Sequence, residues 1–455
     1  MTPRSTSKNR LDRRRFLGGA AATATAAAVG RFARAPEVAA QATPVAAPTP
    51  PVVSEPVDVA FWGGEPEENG PGAFVGGFSE LYDDISATYT RYVNDDTGNT
   101  QLDTALQGGG QIDVYQSYGI PRTSQRIGAG AAEDLTSYIE ADEAVLAWTQ
   151  STDALYKHEG RLFSLPTVRD PYFVIANKRF LDEAEVELPA QWTVDDFRAL
   201  AQQLSGDGVY GTYTPPDIAR ITLGPDYWYK EGGLESNFDH PAFRQHMELH
   251  RAMIDEGSAF PWTDVLAQNL EVYQQNVFLT EQIALWPTSS WVLRYVNDLE
   301  QFPHEFVTTF APMPAPADVA EPWNPGQITN DILMTPGAKN KETAWALIRF
   351  RLVEGAHHYL LSGKQPAFPG TDNETVVSGI LGENRDTLYD VAAYERAIFD
   401  PAIKLVSDSI TTAAAEILQI YNQNRDRYLI GEIDIDEWVE TIKQQADEAI
   451  QNAAS

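Results

Sequence analysis

The spacing of apolar residues predicts strands and helices that alternate along the chain from residue 57 onward. Residues 57–62 form a short apolar run that ends at a pair of glycines, which is typical of a strand. Residues 85–93 alternate between apolar and polar side chains and predict a second strand, and residues 102–106 predict part of a helix. A glycine turn then leads into a third strand at 111–115, so this part of the chain favours an α/β fold.

The clearest local pattern lies at residues 158–204. A glycine-bearing turn and an apolar run that ends at Pro166 precede a run rich in β-forming residues at 172–176. Thr193 is followed three residues later by Asp196, which is a capping pattern at the start of a helix. The apolar residues that follow recur at helical spacing, and they are Phe197, Leu200, Ala201 and Leu204.

The remainder of the chain continues the alternation of strands and helices. Strands are predicted at 208–213 and 332–336, and helices at 241–256 and from about Asn340. The last helix has one apolar face, made of Trp438, Val439, Ile442, Ala446 and Ile450. A chain of 455 residues with this pattern can bury a large core and should divide into two domains or lobes.

Residues 1–42 precede the predicted fold and have the successive zones of an export signal. Arg13 and Arg14 come before a weakly apolar, alanine-rich run at 18–30, and residues 40–42 form a candidate cleavage site. This order is typical of a twin-arginine signal peptide. A basic tail without a role in export is the alternative interpretation.

The composition adds three constraints. Residues 43–56 are rich in proline and alanine and lack apolar periodicity, so we predict a spacer there. Beyond the signal, the sequence has no run of the roughly 18 apolar residues that a membrane span needs. It also has no cysteine, which excludes disulfides, thiolate metal sites and a lipid-attachment cysteine.

The chain is strongly acidic, with a formal net charge of −32. Such a field repels nucleic acid and anionic membrane surfaces. We interpret the acidity as the mark of a well-solvated surface. Attraction of a cationic ligand and adaptation to salt are the alternatives.

The order of the motifs resembles that of the extracellular solute-binding proteins of ABC transporters, in particular the sugar-binding, maltose-binding-protein-like branch. Residues 160–166, 177–178 and 189–197 match the family's Gly-Lys-x-Tyr-Gly-x-Pro, Tyr-Asn-Lys and Pro-Pro-x-Thr-Trp-x-Glu-Leu segments, with Ala176 in place of the usual tyrosine. Further segments that match the family in order are 108–115, 132–139, 278–291, 310–316, 339–350 and 363–367. The resemblance covers most of residues 57–455.

The resemblance implies an α/β fold of the two-lobed periplasmic-binding-protein type (type II), with the ligand in a cleft between the lobes. We expect the chain to cross between lobes near 165–166, 311–314 and 353–355. The first lobe would then comprise 57–166 plus 313–355, and the second lobe 167–312 plus 356–455.

The function that the resemblance implies is capture of a carbohydrate, either a mono- or an oligosaccharide. The protein would deliver this ligand to ABC transporter permease subunits in the membrane and would catalyse no reaction. We expect a monomer without a cofactor or a metal, located in the periplasm or outside the cell, and no nucleic-acid partner.

Aromatic and acidic residues at loop-like positions are the candidate ligand contacts. A tryptophan face offers an apolar platform for a pyranose ring, and carboxylates and amides accept hydrogen bonds from its hydroxyls. We expect Trp228 and Trp291 of the second lobe to face Trp62 and Trp323 of the first. The full set of expected ligand-binding residues is Trp62, Glu65, Tyr118, Asp170, Tyr227, Trp228, Trp291, Trp323 and Asn324. Packing of the tryptophans in the core is the alternative, as is pairing of Asp170 with Arg169 or Lys178.

The sequence contains no specific motif for catalysis or metal binding. His246 and His250 lie four residues apart on a predicted helix, but Met247 stands where a zinc protease has its glutamate. Acidic residues are so abundant that no particular pair points to glycoside hydrolysis. A secreted glycoside hydrolase is therefore the weaker alternative function.

A binding protein for another class of solute is the main alternative function. The acidic composition would suit a polyamine or another cation. A glycerol-phosphate-type solute would need converging basic side chains, for which Arg122, Arg169 and Arg220 are the candidates.

The twin-arginine pattern generates a prediction about export. Replacing Arg13 and Arg14 together with lysine should leave the precursor in the cytoplasm, because the arginine pair is the recognised feature of this signal. Immunoblotting of cell fractions would measure the distribution, with Arg4→Lys as the matched control. Normal export of the double variant would contradict the twin-arginine interpretation.

Overall fold

A computed structural model describes residues 51–152 and 155–454, which form two β-sheets covered by helices. The predicted signal segment and most of the predicted spacer lie outside the described residues. The strands are β1 Val57–Gly63, β2 Ile85–Arg91, β3 Val114–Ser117, β4 Leu165–Asp170, β5 Tyr172–Asn177, β6 Tyr210–Thr212, β7 Ile283–Ser289, β8 Thr308–Pro312, β9 Asn324–Met334 and β10 Leu405–Val406.

The helices vary in length from a single turn to the 20 residues of the last one. They are α1 Pro71–Glu80, α2 Asp96–Gln107, α3 Ile120–Gly128, α4 Thr136–Ala141, α5 Glu143–Ser151, α6 Lys178–Glu183, α7 Val194–Gln203, α8 Ile218–Leu223, α9 Pro241–Asp255, α10 Trp262–Ala267, α11 Gln275–Leu279, α12 Leu293–Val296, α13 Lys341–Leu352, α14 Asn373–Leu381, α15 Arg385–Leu388, α16 Val391–Ile398, α17 Ala414–Leu429 and α18 Ile435–Ala454. Short 3₁₀ helices occur at Glu67–Asn69, Ser290–Val292, Ala356–Ser362 and Gly382–Asn384. Among the described residues, none of these helices is both long and apolar enough to cross a membrane.

The first sheet has the strand order β10-β9-β3-β1-β2, and β4 pairs with β9. β1 runs parallel to β2 and β3, whereas β9 runs antiparallel to β3 and β4. Phe61 of β1 packs edge-on against Phe74 of α1, with ring centroids 5.6 Å apart. Phe74 in turn stacks on Phe350 of α13, so aromatic contacts hold helices against this sheet.

The second sheet has the order β6-β7-β5-β8. The central strand, β5, is antiparallel to both β7 and β8, and Phe173, Val174, Ile175 and Ala176 are fully buried. Burial on both faces explains why this strand is a continuous apolar run and does not alternate with polar residues.

Local predictions from the sequence are confirmed at several elements. Thr193 Oγ1 accepts a hydrogen bond from the Asp196 amide, and the Asp196 carboxylate accepts one from the Thr193 amide, which completes the capping box of α7. Asn340 caps α13, and the predicted helix at 241–256 is α9. The apolar face predicted for the last helix packs against α17 and α9, with Trp438 fully buried.

Two predicted lobe boundaries are wrong. The strand that begins at Leu165 pairs with β9 as far as Asp170, so it belongs to the first sheet, and the chain crosses at Pro171 rather than at 165–166. β10 also pairs with β9, which places Leu405 in the first sheet although 356–455 was assigned to the second lobe. Sequence periodicity could not find β10, because it is only two residues long.

The crossing between β4 and β5 and the crossing between β8 and β9 lie side by side. The Asn324 side chain donates a hydrogen bond to the Tyr172 carbonyl and accepts one from the Tyr172 amide, at 2.8 and 2.9 Å. Its Oδ1 also accepts from the Gly326 amide at 2.8 Å. A Cβ atom on Gly326 would lie 2.2 Å from the Asp170 carbonyl oxygen, so only glycine permits this approach of the two backbones.

A carboxyl group is buried in the strand that follows the second crossing. Asp331 of β9 is 2% exposed, and its Oδ1 accepts a hydrogen bond from Ser164 Oγ at 2.8 Å. Its Oδ2 has no hydrogen-bond partner among the described residues. Burial raises the pKa of Asp331 from 3.8 to about 6, because the ionised form loses hydration.

This raised pKa predicts a specific pH dependence of stability. The folded state holds the proton more tightly than the unfolded state, so the contribution of Asp331 to stability falls as the pH rises from 3.8 to about 6 and stays low above that. Asp331→Asn removes the titration. The free energy of unfolding of this variant relative to the wild type should therefore rise by up to about 3 kcal/mol between about pH 4 and pH 7.

Urea unfolding at both pH values measures this difference. Asp83→Asn, at an exposed position, is the matched control and should show no comparable change. Parallel stability curves for the wild type and Asp331→Asn would show that the Asp331 carboxyl does not titrate in this range.

Candidate ligand-binding site

A cleft runs alongside the two crossings and contains two adjoining cavities. The polar cavity has a volume of about 630 Å³ and is lined by residues that include Glu65, Tyr118, Asp170, Trp291, Arg294 and Lys364. The aromatic cavity has a volume of about 390 Å³ and is lined by residues that include Asp217, Arg220, Tyr227, Trp228, Tyr229 and Pro287. Tyr172, Pro325 and Gln327 line both cavities, so the cavities meet where the chain crosses between the sheets.

The loop after β1 holds a buried carboxylate at the wall of the polar cavity. Glu65 is 3% exposed, and its Oε2 accepts a hydrogen bond of 2.5 Å from the Tyr118 hydroxyl. The Gly64 amide donates to the Tyr118 oxygen at 2.7 Å, and the Tyr89 hydroxyl donates to the Glu65 carbonyl at 2.7 Å. Burial, reinforced by the Glu65 carboxylate, raises the pKa of Tyr118 far above its usual range, so the phenol stays protonated and remains a donor.

A buried lysine faces this carboxylate. Lys364 is 9% exposed, and its Nζ lies 3.8 Å from Glu65 Oε1. Gly363 has a φ of 72°, and a Cβ atom there would lie 1.9 Å from the Ser290 carbonyl oxygen, so the backbone beside Lys364 fits only glycine. Burial lowers the pKa of Lys364, and the Glu65 and Asp170 carboxylates act in the opposite direction.

Asp170 also lines the polar cavity, at the end of β4. Burial raises its pKa, and the Lys364 ammonium group acts against this shift. The alternative interpretation, an ion pair with Arg169 or Lys178, is wrong. Arg169 donates to the Ile398 carbonyl, and Lys178 pairs with a carboxylate on its own helix, four residues further on.

Trp291 provides an aromatic wall of the polar cavity from the second sheet's side. It lies in the 3₁₀ helix that follows β7 and is half-buried. Its ring meets Trp286 and Tyr295 nearly edge-on, at centroid distances of 5.8 and 6.0 Å. The Arg294 guanidinium lies over the Tyr295 ring, 4.8 Å from its centroid, and 5.8 Å from the centroid of the Trp291 ring. These contacts fix the orientation of the three side chains relative to the cavity.

Tyr227 and Trp228 line the aromatic cavity and lie outside the set of residues that lines the polar one. Tyr227 stacks on Phe243 with an interplanar angle of 15°, and Trp228 stacks on Tyr421 with an angle of 28°. Each ring therefore uses at least one face for packing. The Arg220 guanidinium lies 4.7 Å from the Tyr227 ring centroid.

The structure does not bring Trp62, Trp323 or Asn324 to the walls of either cavity. Trp62 is half-buried and packs against the apolar cluster around Leu102 and Tyr115. The Trp323 indole covers Gly224, where a Cβ atom would lie 2.4 Å from its Nε1. The Asn324 amide is occupied by the backbone of Tyr172 and Gly326. The predicted opposition of Trp62 and Trp323 to Trp228 and Trp291 is therefore absent from the described cleft.

Several cavity residues were missed by sequence reasoning, notably Tyr172, Arg294, Tyr295 and Lys364. Arg294 and Tyr295 follow Trp291 by three and four residues, which is the spacing of one helical turn and could have indicated them. Lys364 carries no such signal, because only the fold brings it to Glu65.

The candidate metal and phosphate residues do not converge. Within the described residues there is no group of three or more histidine and acidic side chains arranged for a metal ion. His250 is buried against Trp262, and burial lowers its pKa. Arg122 pairs with Asp96 and Arg220 with Asp408, while Arg169 binds a backbone carbonyl.

Comparison with known proteins identifies the family. A model of the bacterial extracellular solute-binding protein family matches residues 66–356. Proteins of Brucella abortus and Brucella suis that are named as candidate binding proteins are 23% identical over 233 residues, which is 49% of this chain and 54% of theirs. The chain thus spans about half the length of these curated relatives.

Solved structures match over almost the whole of their own length. An ABC substrate-binding protein of Listeria monocytogenes in complex with cycloalternan is 20% identical, with a TM-score of 0.70 over 87% of this chain and 100% of that one. A sugar transporter protein of Rhizobium etli in an open conformation is 18% identical, with a TM-score of 0.67 over 86% of this chain and 99% of that one. These similarities confirm the predicted two-lobed α/β fold.

The family match covers more than half of the sequence, and the matching structures share the fold over most of the chain. The chain therefore belongs to the bacterial extracellular solute-binding proteins.

Proposed function

We propose that this solute-binding protein captures a carbohydrate outside the cytoplasm and delivers it to an ABC permease without catalysing a reaction. The observation that carries the proposal is the position of the Trp291 ring in a cavity wall that also contains the carboxylates of Glu65 and Asp170. An aromatic face suits the C–H surface of a pyranose, and carboxylates accept hydrogen bonds from its hydroxyls.

The size and composition of the cleft support a sugar as the ligand. Volumes of about 630 and 390 Å³ fall in the usual range for small-molecule sites, which is roughly 300 to 1,000 Å³. The two cavities adjoin, so a ligand of more than one sugar unit would extend from Trp291 towards Tyr227. The Listeria relative binds cycloalternan, an observation that supports the same ligand class here.

The proposal includes the cellular setting. Members of this family are extracellular, and the arginine pair of the predicted signal supports export by the twin-arginine route to the periplasm or the exterior. We propose a monomer with two lobes that close over the ligand, one built on the sheet of β1–β4, β9 and β10 and the other on the sheet of β5–β8. The permease would then recognise the closed form.

One prediction from this proposal concerns Trp291 as the platform for the ligand. Trp291→Ala should weaken binding by about 2 to 4 kcal/mol, because a large apolar contact with the sugar is removed. The half-buried ring should contribute less to stability than a core tryptophan, whose truncation costs about 3 to 5 kcal/mol. Calorimetric titration with a sugar selected in a thermal-shift panel measures the first effect, and urea unfolding measures the second.

Two matched variants make this test specific. Trp345→Ala removes a half-buried tryptophan that stacks on Tyr138 away from the cavities and should leave affinity unchanged. Trp438→Ala removes a fully buried tryptophan and gives the stability loss of a core position. If Trp291→Ala retains full affinity and unfolds like Trp438→Ala, the ring is a core residue and not a ligand platform.

Another prediction from this proposal concerns motion at the crossings between β4 and β5 and between β8 and β9. Ligand should reduce the radius of gyration in small-angle scattering, because the lobes can rotate about the crossings at Pro171 and near 313–323. It should also raise the melting temperature, since it binds the native state. A sugar that stabilises the protein without making it more compact would argue against closure of the cleft.

A further inference from the structure

Arg294 is an unusual basic residue in this acidic protein, which has 65 acidic and 33 basic side chains. Most of the lysines and arginines that the structure describes lie within 4 Å of a carboxylate, such as Arg126 beside Asp103. Arg294 has no carboxylate within that distance in the described part of the chain. Its Nη2 donates to the Tyr295 hydroxyl at 3.2 Å, and its buried Nε has no hydrogen-bond partner there.

The aromatic contacts of Arg294 fix the position of the guanidinium but do not provide hydrogen-bond acceptors for all of its N–H groups. The guanidinium lies over the Tyr295 ring and close to Trp291, and all three residues line the polar cavity. Stacking on a ring uses the flat face of a guanidinium and leaves the N–H groups at its edge available to an acceptor. An oxyanion that presents two neighbouring oxygens, such as a carboxylate or a phosphate, is the acceptor that best matches those groups.

A second basic group completes the site. Lys364 is 9% exposed, lines the same cavity and has only the distant Glu65 carboxylate, at 3.8 Å, within 4 Å of its Nζ in the described chain. Burial lowers the pKa of Lys364, the Glu65 and Asp170 carboxylates raise it, and repulsion from Arg294 and the fully buried Arg351 lowers it further. Positive groups placed near one another in a partly enclosed cavity repel each other, and an anion that binds between them reduces this repulsion.

We infer that the ligand is an acidic sugar whose oxyanion, a hexuronate carboxylate or a phosphate ester, binds to Arg294 and Lys364. The inference rests on the proposed carbohydrate function and narrows it to one class of sugar. Glu65 and Asp170 then accept hydrogen bonds from the hydroxyls, while Trp291 contacts the ring. Arg91, which lines the same cavity, adds a third positive charge.

Matched sugars test the inference. Glucose, galactose and mannose, each with its uronic acid and its 6-phosphate, and short oligomers of the hexoses and uronic acids would be compared by thermal shift and calorimetric titration. The acidic member of the best pair should bind at least about tenfold more tightly than the neutral one. Raising the salt concentration should weaken the binding of the acidic sugar more than the binding of the neutral one, because salt screens charge–charge attraction.

Variants connect the preference to the site. Arg294→Gln should reduce the ratio of the affinities for the acidic and the neutral sugar to about one. Arg294→Lys should keep part of this ratio because the positive charge remains. Arg396→Gln is the control, since Arg396 is exposed, lies outside both cavities and also lacks a carboxylate within 4 Å in the described chain. Melting curves of all three variants would verify that they fold.

Each outcome has a distinct meaning. Preference for the uronate or for the 6-phosphate identifies which oxyanion the site accepts. Equal or tighter binding of the neutral sugar, or a preference that survives in Arg294→Gln, overturns the acidic-sugar inference and leaves the carbohydrate proposal intact. Absence of binding by every sugar in the panel overturns the carbohydrate proposal and, with it, the inference.

Discussion

The pairing of the Asn324 side chain with the backbone of Tyr172 is the contact on which the architecture of the cleft depends. An asparagine amide carries a donor and an acceptor with the spacing of a peptide group, so Asn324 satisfies both polar groups of Tyr172 as a neighbouring strand would. The glycine at 326 then lets the other crossing approach at backbone distance. These contacts hold the two crossings together. The sheets on either side of the crossings then form the walls of the cleft.

This arrangement also determines where the two cavities meet. Tyr172, Pro325 and Gln327 lie beside the crossings and line both cavities. Movement of one lobe about the crossings therefore changes the shape of both cavities at the same time. The polar groups that line the polar cavity are held in place. Tyr118 donates a hydrogen bond to Glu65, and Lys364 follows a glycine that packs against the Ser290 carbonyl. Rigid donors and acceptors lose little conformational entropy on binding, which favours affinity and selectivity.

The sequence predicted the elements better than it predicted the site. Periodicity and capping rules located β1, α7, α9 and α13, because those signals are local. The boundary at Pro166 was wrong because β4 continues through it, with Pro166 opposite Asp331 of β9. A proline can occupy a strand position where no backbone N–H is needed for pairing. Glu65, Tyr118, Asp170 and Trp291, which line one cavity, were chosen by residue type and loop-like position together with the family resemblance. Trp62 and Trp323 show the limit of that approach, since residue type and a loop-like position do not reveal which face a ring presents.

The contrast between the surface and the cleft bears on how selectivity would arise. A net charge of −32 produces a repulsive field for anions, but salt screens it beyond roughly 8 to 10 Å. Arg294 and Lys364 act at contact distance inside a partly enclosed cavity, where the effective dielectric constant is lower and charge pairs interact more strongly. Long-range attraction would therefore contribute little to the capture of an acidic sugar. Its selection would depend on contacts that form only after the ligand has entered the cleft, and so on the rate at which it leaves.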